Sequence, residues 1–373
     1  MYRLFCRNVI DLPTNISLNY FWCGGFMLSF FLVLQIVSGV VLSLLYVSDS
    51  VLSFGCVLDI SGDSFFGWLV RYLHVWGVSF IFILLLVHIG RSLYYSSYLK
   101  FSVWNVGFVL YLLMMVEAFL GYVLPWHQMS YWAATVLTSI LQVLPLVGPV
   151  LYKYVVGGFS VTSVTLVRVF SLHVCLAFLL IGLSVVHLYY LHAVGSNNPL
   201  VVGVGYGDFV FFNSFYVLKD GFVLFFLISL LFFFIWGFPD LFLDVESFIE
   251  ADPLVTPVSI KPEWYFLAFY AMLRSVSSKL GGLVLVVVFL FLLWLPSYNA
   301  SCVYFLDRQV VFWFVAWLFF VLSVLGSLHP EVPFVGVSFV VSIVTVLLLS
   351  LFKGGWVISF TPLLGCFSLL SCF

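Results

Sequence analysis

With 373 residues, 64% of them hydrophobic and only 8% charged, the chain lies outside the compositional range of soluble domains. It reads as an all-α polytopic membrane protein, because lipid offers no partner to an open backbone and the apolar runs are of helix length. A formal net charge of -2 excludes nucleic acid as a partner, and seven scattered cysteines without any CxxC exclude a zinc ribbon.

Residues 1–11 carry Arg3 and Arg7 but no cleavage-site pattern, so no removable presequence is expected. Eight apolar runs follow, at 22–47, 67–94, 103–125, 164–191, 216–237, 280–298, 310–326 and 335–353, each near the roughly twenty residues a bilayer needs. They predict eight transmembrane helices. Between the third and fourth, the stretch 126–163 has leucine and valine spacing broken by Pro145, Gly148 and Gly157-Gly158, which predicts short helices along the membrane surface. Between the fifth and sixth, 238–279 is a long connection with a concentration of acidic residues, the natural seam of the chain. The division expected is 1–200, holding four spans and the surface helices, and 201–373, holding the other four and the connection. Counting basic residues by this topology gives seven on the side of the N-terminus against six, barely favouring an inside start.

The second and fourth spans each carry two histidines, His74 and His88, then His173 and His187, both pairs 14 residues apart. On a helix that is about 21 Å of rise and about 40° short of four turns, so each pair lies on one face at two depths. The spans are second and fourth, hence parallel, which sets His74 level with His173 and His88 level with His187. A packed, hydrogen-bonded histidine is the plain alternative for any one of them. Two pairs at one interval point instead to ligation, and neutral imidazole is an axial ligand of haem iron. Without CxxCH, such haems are held by ligation and packing alone. The first and third spans repeat the interval with Gly25 and Gly39, Gly107 and Gly121. Glycine permits close approach, and antiparallel direction puts Gly39 and Gly121 at the His74 level, Gly25 and Gly107 at the His88 level. Ordinary small-residue packing would explain either glycine pair alone; together the four spans suggest a diheme four-helix bundle. Arg71, Arg91 and Arg168 stand three to five residues from a histidine, placed to pair with haem propionates or simply to snorkel.

Each end of the bundle offers titratable groups. Near His88 and His187 are His192, Ser196, Lys219 and Asp220, able to deliver protons to a quinone or to sit as solvated loop residues. At the other end Tyr122 closes the third span and Pro262-Glu263-Trp264-Tyr265 lies in the long connection, where a fixed, desolvated carboxyl would accept a quinol proton. A turn with interface aromatics is the alternative. Glu117, in mid-span four residues before Gly121, is either a proton relay or a neutral carboxyl bonded to a neighbouring helix.

The four histidines, Gly121-Tyr122-Val123-Leu124-Pro125-Trp126, Gly195-Ser196-Asn197-Asn198-Pro199 and Pro262-Glu263-Trp264-Tyr265 together resemble the cytochrome b family of respiratory quinol:cytochrome c oxidoreductase, complex III, in its mitochondrial form. The resemblance implies two non-covalent b-type haems, of low potential on His74 and His173 and high potential on His88 and His187. It implies bifurcated ubiquinol oxidation near Glu263, Tyr122, Tyr265 and Tyr270, with ubiquinone reduced near His192, Ser196, Lys219 and Asp220. Implied partners are a Rieske iron-sulfur protein, cytochrome c1 and the other complex III subunits, in a homodimer surrounded by membrane lipid of the mitochondrial inner membrane. His127 and Ala133 depart from the family's usual glycines and are expected to narrow the quinol pocket; Cys23 and Phe26 stand where polar groups often hold the quinone. A diheme anchor of another quinone-linked dehydrogenase would lack the Glu263 motif and eight spans; a transporter would bring broken helices and mid-membrane charges, for which Glu117 alone is thin support.

Overall fold

The structure is a computed structural model that describes residues 10–200, 208–297 and 303–354. Arg3 and Arg7, the last residue of the 280–298 run, and the outer ends of the two expected divisions lie outside the described residues.

Twelve α-helices make up the described chain: α1 (Gly24–Ser43), α2 (Ser53–Gly62), α3 (Gly67–Tyr94), α4 (Phe101–Val123), α5 (Gln128–Ile140), α6 (Gly148–Val156), α7 (Ser163–Val194), α8 (Phe212–Gly237), α9 (Leu267–Arg274), α10 (Lys279–Trp294), α11 (Leu306–Ser327) and α12 (Phe334–Gly354). Seven of them are long and apolar enough to cross a membrane. The remaining apolar run gives α10, only 16 residues and therefore about 24 Å long. It stops because Leu295 precedes Pro296, which disfavours helical backbone at Leu295, and Leu295 is extended with ψ 121°. All eight expected runs thus became helices, and the count of full-length crossings among the described residues is seven.

The connection 126–163 holds α5 and α6, and α6 is closed by Gly157 in the left-handed region, φ +81°. A short antiparallel ladder, β1 (Pro13–Asn15) with β2 (Phe209–Phe211), ties the chain start to the entry of α8, pairing Thr14 with Val210.

Three buried clusters hold the helices. Phe31, Trp76, Phe80, Leu231 and Ile235 join α1, α3 and α8, so packing runs continuously across residue 200. Leu120, Val123, Trp126, Tyr152, Val156 and Leu166 join the end of α4 to α5–α7. Ala271, Met272, Phe289, Leu322 and Leu349 join α9–α12, with Tyr98 and Trp104 keyed into them.

The long connection is pinned to the start of α5 rather than free. Gln128 N–H donates to the Ile249 carbonyl at 2.9 Å, its side-chain amide donates to Val255 O at 3.0 Å, and Asp252 N–H donates to Gln128 Oε1 at 2.8 Å. This anchoring carries the 262–265 motif to the end of α4.

Candidate functional site

The histidines meet in twos. The rings of His74 and His173 have centroids 6.3 Å apart, and those of His88 and His187 6.4 Å apart. Glycines on the partner helices make room for them: a Cβ on Gly39 would stand 3.1 Å from His74 Cε1, on Gly121 2.8 Å from His173 Cε1, on Gly107 2.9 Å from His187 Cε1, and on Gly25 3.8 Å from His88 Cε1. The order of these contacts fixes direction: Gly25 to Gly39 runs against His74 to His88, so α1 and α3 are antiparallel, as are α4 and α7, while α3 and α7 run together.

A ring pressed against a glycine also reaches the carbonyl one turn earlier. His173 Nδ1 lies 3.1 Å from the Glu117 carbonyl oxygen and 3.0 Å from Glu117 Oε1, and His74 Nδ1 lies 3.0 Å from Ser38 Oγ. Holding Nδ1 in this way leaves Nε2 of each ring free for a ligand.

At the His74/His173 end, a cavity of about 210 Å³ is lined by Tyr122, Asp244, Lys261, Glu263, Trp264 and Ser327 among others. Pro262 and the turn Trp264–Phe266, closed by Phe266 N–H donating to Glu263 O at 2.9 Å, fix the Glu263 side chain there. Burial, reinforced by the negative charge of Asp244, pushes the Glu263 carboxyl up to about 7, so it exchanges protons near neutrality. Tyr265 stacks flat on Phe82, centroids 3.9 Å apart, and burial together with Glu263 holds its phenol well above the ordinary range. Trp264 Nε1 donates to Ser79 Oγ at 3.1 Å, tying the motif to α3. Tyr270 is not in the cavity wall; its hydroxyl donates to Ile260 O at 3.0 Å and braces the connection. His127 and Ala133 are likewise outside that wall. His127 caps α5 instead, its Nδ1 accepting from Ser130 N at 3.1 Å, with its ring edge-on to Tyr122 at 5.4 Å.

At the His88/His187 end, Asp220 is 8% exposed and lies beside the Cys23 thiol, a neighbour that the sequence does not advertise because 197 residues separate the two. Lys219 Nζ donates to Leu18 O at 3.0 Å and lies 4.6 Å from the Phe215 ring centre. His192 is half-buried and Ser196 exposed; among the described residues no hydrogen bond joins either to Asp220. The three arginines differ. Arg71 donates to Ser61 Oγ at 2.8 Å; Arg91 sits 5.2 Å over Trp22 with its buried Nε unpartnered among the described residues; Arg168 is exposed and donates to the Tyr154 carbonyl. Arg91 is thus the one with a buried donor left for an anionic group.

The family model described as "Cytochrome b/b6/petB" matches residues 9–195, and that described as "Cytochrome b(C-terminal)/b6/petD" matches 250–346. The chain belongs to the cytochrome b family. A cytochrome b of Brachionus plicatilis is 42% identical over 349 residues, covering 91% of each chain. A solved structure titled "Hyperthermophilic respiratory Complex III" superposes with a TM-score of 0.88 at 30% identity, covering 95% of each chain. Membership in the cytochrome b family implies b-type haem and interaction with quinone in a multi-pass electron-transport protein. The residues present fit such a group. Ring centroids 6.3 and 6.4 Å apart would put the two imidazoles of each pair within reach of one shared metal. Each station supplies two imidazoles and, among the described residues, no third His, Cys, Asp or Glu placed to join them in holding a metal ion, a donor set that would suit a metal held within a macrocycle such as haem.

Proposed function

We propose that this chain, the cytochrome b subunit and catalytic core of a quinol:cytochrome c oxidoreductase of the complex III type, works a Q cycle between two quinone sites at opposite ends of its four-helix bundle. His74 with His173, and His88 with His187, hold two b-type haems, which supply one-electron carriers across the bilayer when bound. Glu263 takes a proton from ubiquinol in the cavity lined by Tyr122, and Tyr265, stacked on Phe82 behind the cavity wall, holds the Glu263 turn in place. Tyr270 acts by bracing the loop that carries Glu263. Asp220 delivers protons to ubiquinone at the other end, with Cys23, Lys219, His192 and Ser196 around it. Arg91 pairs with a haem carboxylate, and Arg71 and Arg168 stand at the opposite end for the same role. The four glycines keep their helices close to the ligand rings.

The reading extends to the assembly. A Rieske iron-sulfur protein takes the other electron of each quinol and passes it to cytochrome c1, beside further complex III subunits, in a homodimer bedded in lipid of the mitochondrial inner membrane. Residues 1–200 form the electron-carrying unit and 201–373 the unit that supplies Glu263 and, through α10, an eighth crossing.

One observation carries this reading: two facing imidazole pairs at two depths of one bundle, with the Glu263 cavity at one end and the buried Asp220 at the other. Anaerobic redox titration of the purified complex, followed optically, is expected to resolve two b-type centres of different midpoint. A spectrum with one such centre, or none, overturns it. Quinol oxidation that proceeds without a Rieske partner would favour the anchor of another dehydrogenase.

A further inference from the structure

The 14-residue interval of the ligands recurs behind them on α4. Gly107 and Gly121 adjoin His187 and His173, and four positions before each glycine stand Val103 and Glu117. Both histidines address the carbonyl of that earlier residue, His187 that of Val103 and His173 that of Glu117. The backbone is therefore the same at both depths, and the side chain is the difference. Glu117, 9% exposed, places Oε1 3.0 Å from His173 Nδ1, while its Oε2 has no hydrogen-bond partner among the described residues. Val103 offers His187 nothing polar. Nδ1 of His88 and of His187 have no hydrogen bond of ordinary geometry among the described residues, and the partners of His74, the Ser38 hydroxyl and the Gln35 carbonyl, are both neutral.

We propose that Glu117 is a positioning residue that acts through His173 to make the His74/His173 station the harder of the two to reduce. This rests on the haem assignment above. With Nε2 engaged, the ring hydrogen is on Nδ1, and it donates to the Glu117 carboxylate. An anionic acceptor makes the imidazole a stronger donor to the metal, which favours the more positive oxidation state. Taking up one electron lowers the positive charge at the station and so weakens its attraction to a carboxylate in a low-dielectric interior. Both effects have one sign. Neither operates at His88/His187, where the charge acting on both rings is instead the Arg91 cation, so the Glu117 carboxylate and Arg91 push the two stations apart in the same sense.

The test is Glu117→Gln in the intact complex, which keeps the size and a carbonyl acceptor and removes the charge. In anaerobic redox titration the centre of lower midpoint is expected to become at least tenfold easier to reduce, an upward move of 59 mV or more for a one-electron couple, with the other centre unmoved. Val103→Glu is expected to push the other centre downward. If the Gln variant does not assemble, Glu117→Asp, which draws the carboxylate back from Nδ1 by one methylene, should raise the same midpoint by a smaller amount. Unchanged midpoints, or equal movement of both, overturn the proposal. Failure to find two centres in the unsubstituted complex instead overturns the haem assignment.

Discussion

Glu263 sits among apolar and aromatic neighbours with Asp244 close by, and a carboxyl in that setting is neutral at mildly acidic pH. As the base for quinol it must be ionised. The rate of quinol oxidation is therefore expected to rise with pH up to about 7 and then level, and Glu263→Gln to lose at least tenfold in rate along with that rising limb. A Gln variant that retains the limb would exclude Glu263 as the base. The glycines give a graded series of their own. Gly121→Ala and Gly107→Ala place a methyl under 3.0 Å from a ligand ring, an overpacking cost of about 1–3 kcal/mol, whereas Gly25→Ala makes ordinary contact at 3.8 Å. The reduced-minus-oxidised spectrum should lose one b-type signal in each of the first two variants and keep both in the third. At this scale the equal intervals of histidine and glycine were legible in the sequence. The Cys23–Asp220 and Ser38–His74 partnerships were not, since nothing local marks residues that meet only when helices pack.

Element ends follow local chemistry closely. Asn19 Oδ1 accepts Phe21 N–H at 3.0 Å where the chain enters α1, Ser278 Oγ accepts Gly281 N–H at 3.3 Å at the start of α10, and Pro296 ends that helix. The eight apolar runs therefore matched the observed helices to within a few residues. Short α2 and α9 escaped, being too brief to show a period against an apolar background. His127 is the cap with the most consequence, because it begins α5 and sits beside Tyr122. Burial, with Arg71 nearby, holds its imidazole down at about 3, so it stays neutral and keeps accepting the Ser130 N–H. The folded state resists protonating it while the unfolded chain does not. Its contribution is thus fully present above the ordinary histidine value of about 6.5 and declines as pH falls from there toward 3. His127→Ala should cost about 1 kcal/mol for the lost cap, seen as a lower denaturation temperature, and should flatten that acid dependence. Equal acid sensitivity in both proteins would remove His127 as the cause.

Across the whole molecule, the two chemical ends lie on opposite sides of one bundle and are built from distant parts of the chain. Because the two sites are coupled in turnover, they separate only as half-reactions: Asp220→Asn is expected to slow reoxidation of the reduced chain by quinone at least tenfold while leaving its first reduction by quinol with a Rieske partner intact; Glu263→Gln should slow that first reduction and leave reoxidation of the chemically reduced chain intact. Loss of both activities in either variant would argue against two separate sites. The sequence by itself determined that the chain lives in lipid, that four imidazoles lie at two depths, and that parallel direction pairs them, because helix geometry converts residue intervals directly into depth. Tertiary packing alone decided that the 262–265 motif reaches the end of α4, that Cys23 joins Asp220, and that the Glu117 carboxyl turns to His173. Such contacts depend on how helices rotate and close against one another, and interval carries no record of rotation between separate helices.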